Sequence, residues 1–450
     1  MGNEASTPIP YNVQAEWRKL VSGSPAVPAG REGQVAASWE NKLYIFGGGS
    51  SGGTQRADMW TFDLDSSEWK EVTTSGNAPS ARTGACAAVV DGHMFVFGGM
   101  DMERGFLDDF YCFNIAEGTW EQVQGSGEGP TPRDKSALYF FGGFGPVEAE
   151  VEMPDRDEAS TNAGEDGADD EGEEDEYEDE GPAMSFNWFD DLFVYDTESK
   201  AWQQVQASGD IPSPRAAFGM DVVGGSIYVF GGRDTTKRQN DLYVLDTTTN
   251  TWTKPSVSGA VPAERSFHSF TSLAPAGKQQ LVLFGGLSST NALLDDVHVF
   301  DIATSAWVQP TIAANDSRIN ARRFHSAVLH NRSLVVFGGS SNFSPDTQEC
   351  LTFHSDTFAL DLGPVLEAAP VTIPPPATAA ASTSSSSSSS SSAAPSVSFI
   401  SSSASTEGGA AGDATRGKKR KSDEIEKGEK NEEPEGHGGE KEAEEEKKRE

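Results

Sequence analysis

Six times in this chain, a short apolar run ends in Phe followed by a Gly-Gly pair. The runs read LYIFGG, MFVFGG, LYFFGG, IYVFGG, LVLFGG and LVVFGG, and they end at Gly48, Gly99, Gly143, Gly232, Gly286 and Gly339. A repeat of about fifty residues predicts stacked supersecondary units, because one such unit cannot bury both of its faces alone. The fold must therefore be built by packing these units against one another.

Two further signals recur in fixed register after each Gly pair. An Asp opens a second apolar run in every unit: Asp58, Asp109, Asp191, Asp241, Asp296 and Asp356. A Trp follows eleven residues later in five units: Trp69, Trp120, Trp202, Trp252 and Trp307. The β-branched and aromatic runs between turn residues predict four short antiparallel strands per unit, with the Trp as an apolar anchor between neighbouring sheets.

These registers resemble the kelch repeat over roughly residues 11 to 362. The resemblance implies a β-propeller, in which radially packed sheets hide most of their edges. The sixth unit ends at Leu362 without a Trp, whereas Trp17 stands alone near the start of the chain. The sequence therefore predicts an all-β, six-bladed kelch propeller closed by an N-terminal strand around Trp17.

The third unit differs from the others in two ways. Only nine residues separate Arg133 from Gly142, so this unit has either a truncated blade or a local deletion in the chain. Residues 146–184 then form an insertion, in which Glu148 to Glu180 contain eighteen Asp or Glu and one Arg. Such composition predicts a disordered acidic loop. It either competes internally for the binding face, recruits basic partners, or only aids solubility.

The chain has 34 Lys and Arg against 70 Asp and Glu, a formal charge of -36. This negative net charge disfavours direct nucleic-acid binding and favours basic partners. The three cysteines, Cys86, Cys112 and Cys350, form no CxxC pair. Cys86 and Cys112 lie in strand-like runs and are most simply buried thiols in a reducing compartment. We expect a monomer that binds protein partners.

Both ends of the chain carry targeting patterns. Residues 1–10 are predicted to be flexible, and Gly2 with Ser6 fits the N-myristoylation pattern, which gives only weak membrane affinity. Residues 363–450 are predicted to be a disordered Ser-rich and Lys/Glu-rich tail. Within the tail, Lys418, Lys419, Arg420 and Lys421 form a basic cluster of nuclear-localisation type, although such clusters also arise by chance. We expect the protein in the cytoplasm, the nucleus or both.

An Arg near the start of the first strand recurs in every unit, and strand direction places it on the same face as the Asp that opens the third strand. These arginines are Arg31, Arg82, Arg133, Arg215, Arg265 and Arg322. Each is expected to pair with an Asp or a turn carbonyl, while some of the six are expected to face a ligand. The candidate binding face also includes Arg233 and Arg238 and the long loops between the second and third strands.

The fourth to sixth units contain IYVFGGRDTTKRQNDLYVLDTTTNTW at 227–252, RSFHS at 265–269 and a final loop that leads into DTFALD at 356–361. In these stretches, the chain is similar to the plant specifier proteins, which act on glucosinolate breakdown. The resemblance implies an iron site of the form Glu-x3-Asp-x3-His after the last Gly pair, where this chain has Ser340, Ser344 and Gln348. These residues are poor Fe(II) ligands, so we expect no metal, no cofactor and no catalytic residue. The sequence predicts a non-catalytic platform for protein–protein interaction. A specifier-like enzyme acting on small sulfur or nitrogen metabolites is the alternative.

Overall fold

The computed structural model describes residues 11–133, 139–147, 185–273, 279–344, 346–347 and 349–367. The regular secondary structure of this part is β-strand, apart from one 3-10 turn at Ser51–Gly53 and one short helix, α1, at Gly363–Glu367. None of its helices has the length and hydropathy needed to cross a membrane. The prediction of an all-β propeller is confirmed.

The strands follow the sequence repeats. The N-terminal strand is β1 (Tyr11–Leu20). The first repeat contains β2 (Val35–Trp39), β3 (Lys42–Phe46), β4 (Gly49–Ser50), β5 (Thr54–Gln55), β6 (Met59–Asp63) and β7 (Glu68–Glu71). The second contains β8 (Ser75–Gly76), β9 (Cys86–Val90), β10 (His93–Asp101), β11 (Gly105–Asn114) and β12 (Thr119–Gln122). The third contains β13 (Phe144–Val147), β14 (Ser185–Trp188), β15 (Phe193–Asp196) and β16 (Ala201–Gln204).

The last three repeats are built in the same way. The fourth contains β17 (Ser208–Gly209), β18 (Gly219–Val223), β19 (Ser226–Phe230), β20 (Leu242–Asp246) and β21 (Thr251–Thr253). The fifth contains β22 (Ser258–Gly259), β23 (Arg265–Ser266), β24 (Ser269–Leu273), β25 (Gln280–Ser288), β26 (Leu293–Asp301) and β27 (Ala306–Val308). The sixth contains β28 (Pro310–Ile312), β29 (Ser326–His330), β30 (Ser333–Phe337), β31 (Ser340–Ser344), β32 (Glu349–Phe353) and β33 (Thr357–Asp361).

Five sheets of four to six strands form blades, and each contains antiparallel strands such as β2-β3-β6-β7. In four of these sheets, a short outer strand is added in parallel: β8, β17, β22 and β28. In the third repeat, the described residues form a two-stranded sheet of β15 and β16, and Phe141 bridges to Leu192 beside it. Strand β1 pairs antiparallel with β33, from Glu16 opposite Asp361 to Leu20 opposite Thr357. Its other edge pairs in parallel with β28.

Backbone hydrogen bonds at the Gly pairs join each repeat to the next one. The second Gly of each pair donates its N–H to the carbonyl of the next repeat's Arg: Gly48 to Arg82, Gly99 to Arg133, Gly143 to Arg215, Gly232 to Arg265, Gly286 to Arg322 and Gly339 to Arg31. Gly48 has φ 92° in the left-handed region, and a Cβ there would lie 2.9 Å from the Cβ of Gln34. Only glycine satisfies both constraints without strain.

The tryptophans pack against the Phe that precedes the Gly pair of the neighbouring repeat. Ring centroids are 5.2 Å apart for Trp120 and Phe46, and 5.0 Å apart for Trp307 and Phe230. Trp17 makes the same contact with Phe284 at 5.1 Å. The tryptophans are therefore anchors between neighbouring repeats, as predicted.

Two predicted boundaries change in the structure. Pro146 and Val147 were assigned to the acidic insertion, but they lie in β13, paired with Phe186 and Ser185. The rest of the predicted insertion, 148–184, lies outside the described residues. Residues 363–367 were assigned to the tail, but they form α1, whose Val365 is buried in the same apolar cluster as Trp17. Burial of this apolar side chain explains why residues 363–367 pack against the blade rather than extend into solvent.

Candidate functional site

The loop face is the face on which the first strands begin and the loops between second and third strands lie. Its rim is formed by two positions per repeat, the residue after the repeat Arg and the residue after the Gly pair. These positions pair through the backbone: Glu32 with Gly49, Thr83 with Met100, Ala216 with Arg233, Ser266 with Leu287 and Arg323 with Ser340. Side chains that vary between repeats are thus presented around one rim.

Below the rim, each of the six repeat arginines is held in a buried clamp with the Asp that opens the third strand. The ion pairs join Arg31 to Asp58, Arg82 to Asp109, Arg133 to Asp191, Arg215 to Asp241, Arg265 to Asp296 and Arg322 to Asp356. The same Arg Nη1 also donates to the carbonyl of the first Gly of its own repeat, for example from Arg265 to Gly285 at 3.0 Å. The clamp therefore ties the first strand, the Gly turn and the third strand together.

Three of the clamps favour the charged form of their carboxylate. Burial alone raises the pKa of Asp58, Asp241 and Asp296, but hydrogen bonds and charge from the clamp arginines outweigh burial, so each pKa lies below its usual range. All six repeat arginines are buried and engaged in these ion pairs, as the sequence predicted. A direct ligand contact for Arg31, Arg82, Arg133, Arg215, Arg265 or Arg322 stays a prediction.

Arg238 is placed differently from the repeat arginines. Arg238 is only 9% exposed, yet no Asp or Glu among the described residues forms an ion pair with it. Its guanidinium is held by neutral acceptors: Nε donates to the Ser266 hydroxyl at 2.8 Å, and Nη1 donates to the Ser288 carbonyl at 3.0 Å and to Asn291 Oδ1 at 2.9 Å. Burial, followed by the positive charges of Arg233 and Arg323, lowers the pKa of Arg238 to about 10.

Arg233 and Arg323 complete what we call the arginine cluster, Arg233, Arg238 and Arg323. Arg233 is exposed, and its backbone pairs with that of Arg238. The guanidinium of Arg323 lies over two rings, with its carbon 5.4 Å from the centroid of Phe267 and 5.1 Å from that of Phe343. Such cation–π contacts orient a guanidinium without neutralising it.

Two carboxylates lie near the cluster, and neither neutralises Arg238. Glu32 Oε2 is 3.6 Å from Nε of Arg323, and it accepts the hydroxyl hydrogen bond of Ser340. Asp234 Oδ1 accepts hydrogen bonds from the backbone N–H groups of Thr236 and Lys237, so its carboxylate shapes the loop between Arg233 and Arg238. The cluster therefore keeps an excess of positive charge on a face of a strongly acidic protein.

Sequence reasoning included Arg233 and Arg238 in the candidate site but missed Arg323, Ser266 and Glu32. All three occupy the rim position directly after a repeat Arg. A usable signal was the variability of this position, which differs between repeats while its neighbours recur. Residues that depart from an internal repeat without a structural need are candidates for recognition.

The enzyme alternative depends on positions after the last Gly pair. Ser340 and Ser344 lie in β31, whereas Gln348 is outside the described residues. Among the residues that the structure describes, no group of three or more His, Cys, Asp or Glu could hold a metal ion. His268 and His325 line a central cavity of about 160 Å³. Burial lowers the pKa of each to about 3, so both imidazoles are neutral near pH 7.

The predicted targeting residues were not placed by the structure. Gly2 and the basic cluster of Lys418, Lys419, Arg420 and Lys421 lie outside the described residues.

The recurring blades, Gly turns and clamps define a kelch-repeat β-propeller. A family model described as the KLHDC2/KLHL20/DRC7 Kelch-repeats domain matches residues 10–148 and 179–384. The chain belongs to this kelch-repeat family. It is 32% identical over 355 residues to the Kelch domain-containing protein 1 of Mus musculus, covering 73% of this chain and 82% of the relative. It is also 33% identical over 339 residues to the Kelch domain-containing protein 2 of Homo sapiens, covering 70% and 77%. This kinship indicates a scaffold or interaction role.

Proposed function

We propose that the protein is a non-catalytic interaction platform that binds a partner protein through an anionic group seated at the arginine cluster. The observation that carries this proposal is the buried charge of Arg238 without an acidic partner. A buried charge is costly unless a counter-charge or strong hydrogen bonds compensate it. The clamps of this same fold compensate six other arginines, so the lack of an acid at Arg238 is a local exception.

The geometry favours a carboxylate or a similar small anion as the compensating group. Nη2 of Arg238 donates to no acceptor among the described residues, whereas Nε and Nη1 are held in place. A guanidinium fixed on one side and open on the other is pre-organised for a charge-assisted hydrogen bond. Arg233, at the exposed edge of the cluster, would add attraction at longer range.

We expect replacement of Arg238 by Leu to abolish most anion-dependent binding, with a loss of affinity of about 100-fold, because a desolvated charge pair contributes several kcal/mol to binding. The measurement is binding of a peptide array in which each sequence is present with and without acidic side chains, and with a free or amidated C-terminus. The two comparisons separate side-chain carboxylates from a terminal carboxylate. Binding should weaken as salt increases.

Arg318→Leu is the matched control, because Arg318 is exposed and pairs with Asp295. It should leave peptide binding unchanged. Peptides that bind equally well after their carboxylates are removed, or that bind Arg238→Leu normally, would contradict the proposal. Stoichiometric Fe(II) binding by the purified protein would favour the specifier-like enzyme instead.

We infer that the ring has six blades and that β1 closes it, with the propeller spanning residues 11–362. The hydrogen bond from Gly339 of the last repeat to Arg31 of the first supports this inference, as does the contact of Trp17 with Phe284. The third repeat supplies one further blade beside the five larger sheets. This blade consists of β15, β16 and the segment around Phe141. We also infer a monomer. Residues 1–10 and the tail after residue 367 lie outside the described residues.

We further propose that the protein works in the cytoplasm, the nucleus or both, and that Gly2 is N-myristoylated. Expression in a eukaryotic cell should add a myristoyl mass that Gly2→Ala removes, and membrane association should be partial, because one acyl chain binds weakly. Intact mass spectrometry of both proteins provides the measurement. An unacylated or acetylated N-terminus in the parent protein would refute acylation. Alanine substitution of Lys418, Lys419, Arg420 and Lys421 tests nuclear import by microscopy.

A further inference from the structure

A second surface on the loop face is aromatic rather than basic. Four side chains, which we call the hairpin patch, come from β11 and the hairpin of β13 and β14: Phe106, Phe144, Phe186 and Trp188. Phe144 stacks on Phe186 with ring centroids 5.7 Å apart and an interplanar angle of 14°. Phe106 lies 5.7 Å from Phe186, and Trp188 lies 5.0 Å from Phe144. The patch is thus one continuous group of rings.

The hairpin patch is open to solvent on one side. Phe186 is 52% exposed, and it is the one aromatic side chain among the large exposed hydrophobic residues of the described chain. Met102, in the turn between β10 and β11, is also exposed. Aromatic side chains bury large areas in a complex at low conformational cost. An exposed ring group of this kind is a feature of interaction surfaces rather than of inert loops.

The surroundings of the patch are acidic. Glu103 and Asp108 are exposed on either side of Phe106 in the chain, and Asp190 is exposed after Trp188. Arg104 is the basic residue of this stretch, and it is 3.7 Å from Asp109. A partner that covers the rings must therefore approach through a negative potential.

We propose that the hairpin patch docks a partner segment with an apolar side chain flanked by Lys or Arg. The apolar side chain packs on Phe186 and Phe144, and the flanking cations meet the acidic surroundings and the faces of the rings. This chemistry is opposite to that of the arginine cluster, which takes an anion. The two surfaces therefore select different features of a partner and act independently.

The test is selection of a displayed random peptide library on the full-length protein, with removal of peptides that also bind Phe186→Ser. The selected peptides should share an aromatic or aliphatic residue flanked by Lys or Arg. Synthetic copies should bind Phe186→Ser about tenfold more weakly or worse, since hot-spot aromatics dominate such contacts. Binding should also weaken with salt.

Three controls make the outcome specific. Leu351→Ser removes another exposed apolar side chain, in β32 of the sixth repeat, and should not affect binding. Arg238→Leu should also retain it, so failure of the proposed anion site would not affect this test. Urea unfolding of Phe186→Ser should match the parent protein, because an exposed side chain contributes little to stability.

The proposal is overturned if the selected peptides lack basic residues, or if Phe186→Ser binds them normally. Sedimentation of the parent protein as a dimer and of Phe186→Ser as a monomer would also overturn it, because the occupant would then be a second copy of this chain. Tighter peptide binding after deletion of residues 148–184 would identify that acidic segment as the occupant, which contradicts a partner with basic flanks.

Discussion

Replacement of Trp17 by Ala is expected to lower the free energy of unfolding by about 3–5 kcal/mol, the usual cost of removing a buried aromatic side chain. Trp17 is 1% exposed and contacts Phe284 of the fifth repeat and Phe358 of the sixth. The change therefore weakens two repeats at once, and it also loosens β1 from the edge of β33. Urea denaturation followed by Trp fluorescence and circular dichroism measures the effect.

Arg18→Ala is the control on the same strand, because the Arg18 side chain is exposed. It should change stability by less than about 0.5 kcal/mol, as expected for an exposed position. Deletion of residues 1–20 should reproduce or exceed the Trp17 effect, whereas deletion of residues 2–9 should not. If Trp17→Ala unfolds like the parent protein, β1 is dispensable and the closure proposal is wrong.

Replacement of Asp296 by Ala is expected to destabilise the protein by about 3–5 kcal/mol, the scale for leaving a buried charge without its partner. The side chain of Arg265 is fully buried, with its Nη1 2.6 Å from Asp296 Oδ1. Asp296 also accepts a hydrogen bond from His298 Nε2 at 3.0 Å. Removal of this carboxylate therefore leaves the buried charge of Arg265 without its counter-charge and takes one hydrogen-bond partner from His298.

The adjacent residue provides a matched control. Asp295 pairs with Arg318 at 2.7 Å, but both side chains are exposed, so Asp295→Ala should cost less than about 1 kcal/mol. The pH dependence gives a second measurement. The lowered pKa of Asp296 means that its contribution is present above about pH 4 and is lost as the pH falls toward the folded-state value. Asp296→Ala should thus flatten the loss of stability as the pH falls below about 4. Equal effects of the two substitutions would contradict the clamp.

The propeller could be predicted because its determinants are local and recur in register. The Gly pair, the Asp and the Trp each act at one fixed position of the repeat, so their spacing alone indicated the blades. The outer edge strands β8, β17 and β22 were not predicted, although each is a Ser-Gly pair. Their pairing is visible only in three dimensions: a Cβ at Gly209 would lie 2.2 Å from the carbonyl oxygen of Trp252.

The clamp partners of the repeat arginines could also be predicted, since strand direction places the start of the first and third strands together. The burial of Arg238 could not. Sequence alone places this residue on the candidate binding face, but its side chain reaches across to Ser266 and Asn291 of the next repeat. Contacts between repeats depend on how two loops pack together in three dimensions. The sequence of either loop alone does not predict this packing.

Each clamp neutralises its buried charge within one repeat, because every repeat arginine is paired with an aspartate of its own repeat. The side chains at the rim are therefore not needed for these ion pairs. Sequence drift at Glu32, Ser266 or Arg323 can change the charge of the loop face while the clamps below stay intact. Related propellers with the same clamps can therefore come to bind ligands of opposite charge without losing the fold.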